Sequence, residues 1–177
     1  QVRARAQRVV GRLTGPLTRG KPESTLGNFV TDAMRTGMGR FTGKAPDVCF
    51  TNSGGLRRDI DGGEVTEGVL VELMPFDNSV VVFEANASQM RDLVGRLAQR
   101  GDPVSGLRYT RASGKARDVT VGGKPLDDKR VYRVCTNDYV FEGGGQYPFE
   151  GVSNVSYTGV LLRDALIQTF ELEHEKN

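Results

Sequence analysis

Apolar residues recur three and four positions apart through Leu26, Phe29, Val30, Ala33, Met34 and Met38, which predicts a helix with one buried face. Ser24 or Thr25 supplies its cap, and Gly37 or Gly39 its stop. Residues 47–51 read as a short buried strand running into a polar, glycine-rich turn. A short helix opens at Thr66 or Glu67 and carries Val69, Leu70, Leu73 and Met74. It ends before Pro75, because proline disfavours helical geometry in the residue ahead of it. Residues 80–85 have the composition of a buried strand. Asn86 or Ser88 caps a further helix with Met90, Leu93, Val94 and Leu97 on one face, ending at Gly101-Asp102-Pro103. Residues 107–110 read as an edge strand. Residues 116–121 and 130–135 read as two strands joined by a loop with hairpin chemistry, 122–128. A final amphipathic helix covers 160–173 with Leu161, Leu162, Ala165, Leu166 and Phe170. Residues 1–18 form a lead-in strand or linker, and 19–177 one domain.

Strands and helices mix without a regular β-α-β rhythm or an internal repeat, which predicts an α+β fold, a mixed sheet with packed helices. The 177 residues suit a single domain. A domain of that size buries about 70% of the surface its unfolded chain exposes, enough for a core without metal support. The 24 Lys and Arg against 22 Asp and Glu leave a net charge of +2, which gives no reason to expect a nucleic-acid partner. No apolar run approaches the ~18–20 residues needed to span a membrane, and no membrane partner is expected. The chain opens Gln1-Val2-Arg3 with no signal peptide in view, and is expected to be a piece cut from something longer.

One His and two Cys exclude most metal cages. His174 sits close to the C-terminus and reads as a surface residue, and no Ser/His/Asp triad assembles around it. Cys49 and Cys135 lie in apolar stretches and read as buried inert thiols, with a mutual disulfide as the alternative. The Gly143-Gly144-Gly145 run lacks the Gly-Lys-Ser/Thr that completes a phosphate-cradling loop. No catalytic group is assigned, and no cofactor is expected in this chain.

Two glycine-rich turns carry the remaining chemistry. The first is Asn52-Ser53-Gly54-Gly55-Leu56-Arg57, and the second runs from Asn137 through Tyr139 and Gly143-Gly144-Gly145 to Tyr147. Glycine lets backbone approach a ligand, Asn offers donor and acceptor, and Arg offers a rigid fork for phosphate or carboxylate. Each turn alone is an ordinary loop. Their combination is more specific: Asn-x-Gly-Gly-x-Arg, then Leu73-Met74-Pro75-Phe76-Asp77-Asn78, then Tyr132 to Tyr139 leading into the glycines. With the earlier Glu23-Ser24-Thr25-Leu26-Gly27-Asn28 helix start, this order resembles the C-terminal domain of the 5′-nucleotidase family over about residues 19 to 170.

The resemblance implies a two-domain hydrolase. An N-terminal metallophosphatase domain, absent from this chain, would hold two divalent metal ions and hydrolyse the phosphoester. The present domain would recognise the nucleotide or nucleoside and be inactive alone. The resemblance also implies a periplasmic, cell-surface or secreted protein. Carried over by motif, Phe76 and Tyr139 clamp the base, Arg57 meets phosphate or ribose, and Asn52 bonds base or sugar. Asn78 lies near the base, and Arg19 stands nearest to the Arg that precedes the family's first helix, displaced by one residue. Two rings grip a base with little regard to its identity, and stacking is worth about 1–3 kcal/mol per base. One departure stands out: the family's Gly-Gly-Asp-Gly-Tyr is here Gly143-Gly144-Gly145-Gln146-Tyr147, so the Asp that bonds the ribose hydroxyls is missing. Either Glu142 or Asp138 substitutes, the substrate is a different phosphate ester, or the domain is a structural or dimerisation module that no longer binds.

Overall fold

A computed structural model describes residues 2–174. Gln1, residues 175–177 and the side chain of His174, read above as a surface residue, lie outside the described residues. In chain order the elements are α1 (Val2–Ala6), β1 (Val9–Leu13), α2 (Thr25–Thr42), β2 (Val48–Phe50), β3 (Gly63–Thr66), α3 (Glu67–Leu73), β4 (Ser79–Asn86) and α4 (Ala87–Arg100). They continue with β5 (Val104–Ser105), β6 (Leu107–Ala112), β7 (Lys115–Val121), β8 (Lys124–Pro125), β9 (Val131–Asn137), α5 (Asp138–Phe141), β10 (Ser153–Leu161) and α6 (Leu162–His174).

The fold is α+β. Its centre is a five-stranded mixed sheet in the order β10-β4-β9-β2-β5, in which β2 and β9 run parallel and the other neighbours antiparallel. Both faces of this sheet are covered. On one, Val80, Val82 and Cys135 pack with Leu26, Val30 and Met34 of α2, Leu70 of α3 and Leu166 and Phe170 of α6. On the other, Phe50, Phe83, Tyr132 and Val134 pack with Met90, Leu93, Val94 and Leu97 of α4 and with Leu107 and Val121. A strand buried on both faces needs apolar residues at every position, which is why 80–83 reads as a continuous run rather than an alternation.

Local signals place the helices. The Ser24 hydroxyl accepts from Gly27 N at 2.9 Å and starts α2. Neither Gly37 nor Gly39 stops it; the helix runs to Thr42 and ends on Gly43 at φ 73°. Gly37 is instead a contact point, since a Cβ there would lie 3.1 Å from Cβ of Ala165 on α6. Thr66 caps α3, and Asn86 with Gln89 forms a capping box that starts α4.

Three further expectations are corrected. The predicted strands 116–121 and 130–135 do not pair: β7 lies between β6 and β8 in a separate three-stranded sheet, while β9 lies between β4 and β2. The Gly122-Gly123 turn closes a tight hairpin onto β8 instead. The last helix begins at Leu162, because residues 153–161 are a strand whose largely exposed residues hide its pattern. Cys49 and Cys135 are not free thiols. They are register partners on β2 and β9 and form a disulfide across 86 residues of sequence. Residues 2–18 pack on the body of the domain: β1 pairs with β3, Val10 is in the core, and Leu17 bridges Ile60.

Candidate functional site

Strand direction explains why distant segments meet. β2 and β9 are parallel neighbours, so the turn at 52–57 and the segment from Asp138 to Tyr147 leave the same end of the sheet. β4 and β5 run antiparallel to those strands, with Val80 opposite Asn137 and Val104 opposite Phe50. The residues just ahead of them, 76–78 and 100–103, therefore arrive at that end too.

Side-chain hydrogen bonds fasten the four segments. Asn137 caps α5 by accepting from Val140 N at 2.8 Å, while its Nδ2 donates to Thr51 Oγ1 and Asn52 Oδ1 at 2.8 and 2.9 Å. Asp138 accepts from Asn78 Nδ2 at 2.8 Å, from Ser79 N and Oγ at 2.9 and 2.8 Å, and from Tyr139 N at 2.7 Å. Burial pushes the Asp138 carboxyl up, but these hydrogen bonds outweigh it and hold it below the ordinary carboxylate value. Asp102 is buried and accepts from Ser53 N and Oγ, Arg100 Nε and Tyr147 Oη at 2.9, 2.8, 2.7 and 2.9 Å. Its carboxyl too is raised by burial and lowered further by those four donors, for a net depression.

Phe76 and Tyr139, both read as base-clamping rings, are 54% and 56% exposed. Neither is in the core. Phe76 borders a small hollow with Thr51, Leu56, Asn78 and Asn137. The Tyr139 ring lies on Gly144, where a Cβ would come within 2.6 Å of its Cδ1. Leu56 also borders an open cleft of about 730 Å³ lined by Arg19, Lys21, Arg57 and Arg100, with Asp59 at its side. Arg57 is exposed, and its Nη1 donates to Gly54 O at 3.2 Å. Arg19 is held by Asp59 and donates from Nη1 to Arg57 O at 2.9 Å. Asn52 lies over Gly55, and its Nδ2 donates to no protein acceptor among the described residues.

All six sequence-predicted residues thus lie around one end of the sheet. Asp138, considered as a substitute for the missing ribose carboxylate, spends both oxygens on protein donors. Glu142 is exposed. Gln146 adopts φ 55° where the family pattern has glycine. Sequence reasoning did not single out Lys21, Arg100 or Asp102 as site residues. Arg100 reads as an ordinary cation at a helix C-terminus, and only the β2–β5 pairing brings it to the cleft. Among the described residues no three His, Cys, Asp or Glu side chains gather in a group that could hold a metal ion.

Comparison with known proteins gives one consistent result. The family described as 5′-nucleotidase, C-terminal domain, matches residues 9–151. The Listeria monocytogenes cell wall protein Lmo0130 is 31% identical over 156 residues, 77% of this chain and 20% of that protein. The Bacillus subtilis trifunctional nucleotide phosphoesterase YfkN is 29% identical over 143 residues, 71% of this chain and 10% of that protein. The chain therefore spans a fifth or less of the length of these relatives. A 5′-nucleotidase precursor from Thermus thermophilus superposes with a TM-score of 0.85 at 26% identity, covering 98% of this chain and 38% of that one.

Proposed function

The chain belongs to the 5′-nucleotidase family, as its C-terminal domain, and on that premise we propose that it recognises the nucleotide for a larger phosphoester hydrolase. The base stacks between Phe76 and Tyr139. Arg57 meets the phosphate or ribose with the fork geometry that suits an anion. Asn52 bonds base or sugar through its free Nδ2, Asn78 stands at the base edge, and Arg19 adds positive charge beside Arg57. Hydrolysis would take place on an N-terminal metallophosphatase domain of the same protein, where two divalent ions would supply the Lewis acidity, and this chain alone hydrolyses nothing.

One observation carries the reading. Two half-exposed aromatic rings sit on segments tied together by a single carboxylate, beside a cleft lined by four cations. Phe41 and Tyr157 are comparably exposed, and single exposed aromatics are ordinary; what sets Phe76 and Tyr139 apart is that the Asp138 carboxylate ties their segments together beside that cleft. Both rings stand outside the core, where a base can reach them. The protein works outside the cytoplasm, at the periplasm, the cell surface or beyond. The Cys49–Cys135 disulfide supports that location, because such bonds persist in oxidising compartments. So does the likeness to a cell wall protein.

The test is an amide NMR titration of the 177-residue chain with AMP and with adenosine. Saturable shifts at Phe76, Asn78 and Tyr139, lost in Phe76→Ala, are expected. Spectra unchanged at millimolar ligand would contradict the reading.

A further inference from the structure

Resting on that reading, we propose that Arg100 makes this site select a nucleotide whose sugar carries a second anionic group, a nucleoside bisphosphate. Arg100 is the last residue of α4 and lines the cleft with Arg57, Lys21 and Arg19. Its guanidinium is held in place. Nε donates to Asp102 Oδ2 at 2.7 Å, and Asp102 is itself fixed by Ser53 and Tyr147. Cζ lies 5.9 Å from the centre of the Tyr147 ring. Among the described residues Nη1 and Nη2 donate to no protein acceptor in full hydrogen-bonding geometry, although the guanidinium also lies within reach of the Tyr147 hydroxyl.

The guanidinium lies against bare backbone. A Cβ at Gly145 would be 3.1 Å from Arg100 Nε and 3.2 Å from Cζ. Gly145 follows Gly144, on which the Tyr139 ring rests. The surface therefore runs from the aromatic ring over two glycines to Arg100, where Lys21 donates from Nζ to the Arg100 carbonyl oxygen at 2.9 Å, and into the cleft that holds Arg57 and Arg19. A nucleotide with its base on Tyr139 and its 5′-phosphate among the far cations lays its sugar over Gly145 and Arg100. The nearby carboxylate, Asp102, is buried beneath the cleft and occupied by four donors. What the sugar meets is a cation rich in donors and lacking an acceptor. A hydroxyl accepts one weak bond from such a group, whereas a phosphate accepts a forked, charge-assisted pair.

Calorimetric titration at constant ionic strength with AMP and with adenosine 3′,5′-bisphosphate tests this. The wild-type chain is expected to bind the bisphosphate about tenfold or more tightly than AMP, the size of one added charge-assisted hydrogen bond. Arg100→Gln brings the two ligands level, while Arg57→Gln weakens both alike and keeps their ratio. Equal affinities in the wild type, or a ratio that survives Arg100→Gln, overturns the proposal and leaves nucleotide binding standing. A second measurement needs no variant: the Gly145 amide must shift more with the bisphosphate than with AMP, and equal shifts overturn the proposal. Failure of both ligands to bind overturns the nucleotide reading itself.

Discussion

The side-chain amide of Asn78 donates to Oδ1 of Asp138 at 2.8 Å, so the residue two positions after Phe76 holds the residue just before Tyr139. The same carboxylate also takes the backbone N–H groups of Ser79 and Tyr139. The two rings proposed to grip the base are therefore placed by one shared acceptor, although 63 positions separate them in sequence (139 − 76).

Removing that acceptor is expected to disturb both rings at once. Asp138→Ala should lower unfolding free energy by about 1–3 kcal/mol, the cost of stranding donors to a charged partner. It should also weaken adenosine binding more than its loss of stability explains. Urea titration and ligand titration on the same variant check this. A variant that loses stability but keeps wild-type affinity would show that the fastening does not set the ring positions.

Gly144 is predicted to matter because of what lies on it. A Cβ there would come within 2.6 Å of both the Tyr139 Cδ1 and the Tyr139 carbonyl oxygen. Gly144→Ala must push the ring or the turn aside. We expect at least a threefold loss of nucleoside affinity, corresponding to about 0.7 kcal/mol, with the disulfide and the sheet intact. An unchanged Tyr139 ring environment by NMR in this variant would contradict the prediction.

The legible part of the fold and site was local. Ser24, Thr66 and Asn86 announce their helices through hydrogen bonds made within three residues. Residues 80–85 announce a two-faced strand through composition. The six candidate residues came from motifs and all fall at one end of the sheet. What stayed hidden depends on pairing between distant strands. Nothing near Arg100 or Asp102 shows that β5 will lie beside β2 and carry them to the cleft. Nothing near Cys49 shows that β9 will run parallel to β2 and set Cys135 at the same register position. The strand at 153–161 sits at a sheet edge with bulges and largely exposed residues, so its hydrophobic alternation is lost.

The disulfide is expected to support the fold strongly. It closes a loop spanning 86 positions in the middle of the core sheet. Removing a native disulfide from a small secreted domain costs about 2–5 kcal/mol. The paired replacement of Cys49 and Cys135 by Ala should lower the urea midpoint accordingly. Reduction with dithiothreitol should destabilise the wild type and leave the double variant unchanged. A wild type indifferent to reduction would contradict this account.

Acid should weaken the domain in a defined window. The Asp102 carboxyl is raised by burial, but donors from Ser53, Arg100 and Tyr147 bring it below its ordinary value. A folded value under the unfolded value of about 3.9 means the ionised form stabilises the fold above that pH. That contribution is lost as pH falls below about 4 toward the depressed folded value. Asp102→Asn should be less stable at pH 7 by about 1.5–3 kcal/mol and should lose less on further acidification. Parallel acid-limb slopes in wild type and variant would show that Asp102 does not carry the effect.

The central claim is that Phe76 and Tyr139 close on a heterocyclic base while Arg57 faces its phosphate. A crystal of this chain soaked in AMP reads it directly. The account predicts a purine stacked on both rings with its phosphate within hydrogen-bonding distance of the Arg57 guanidinium. A purine bound elsewhere on the domain, or rings that stay apart around an empty gap at saturating AMP, would contradict it.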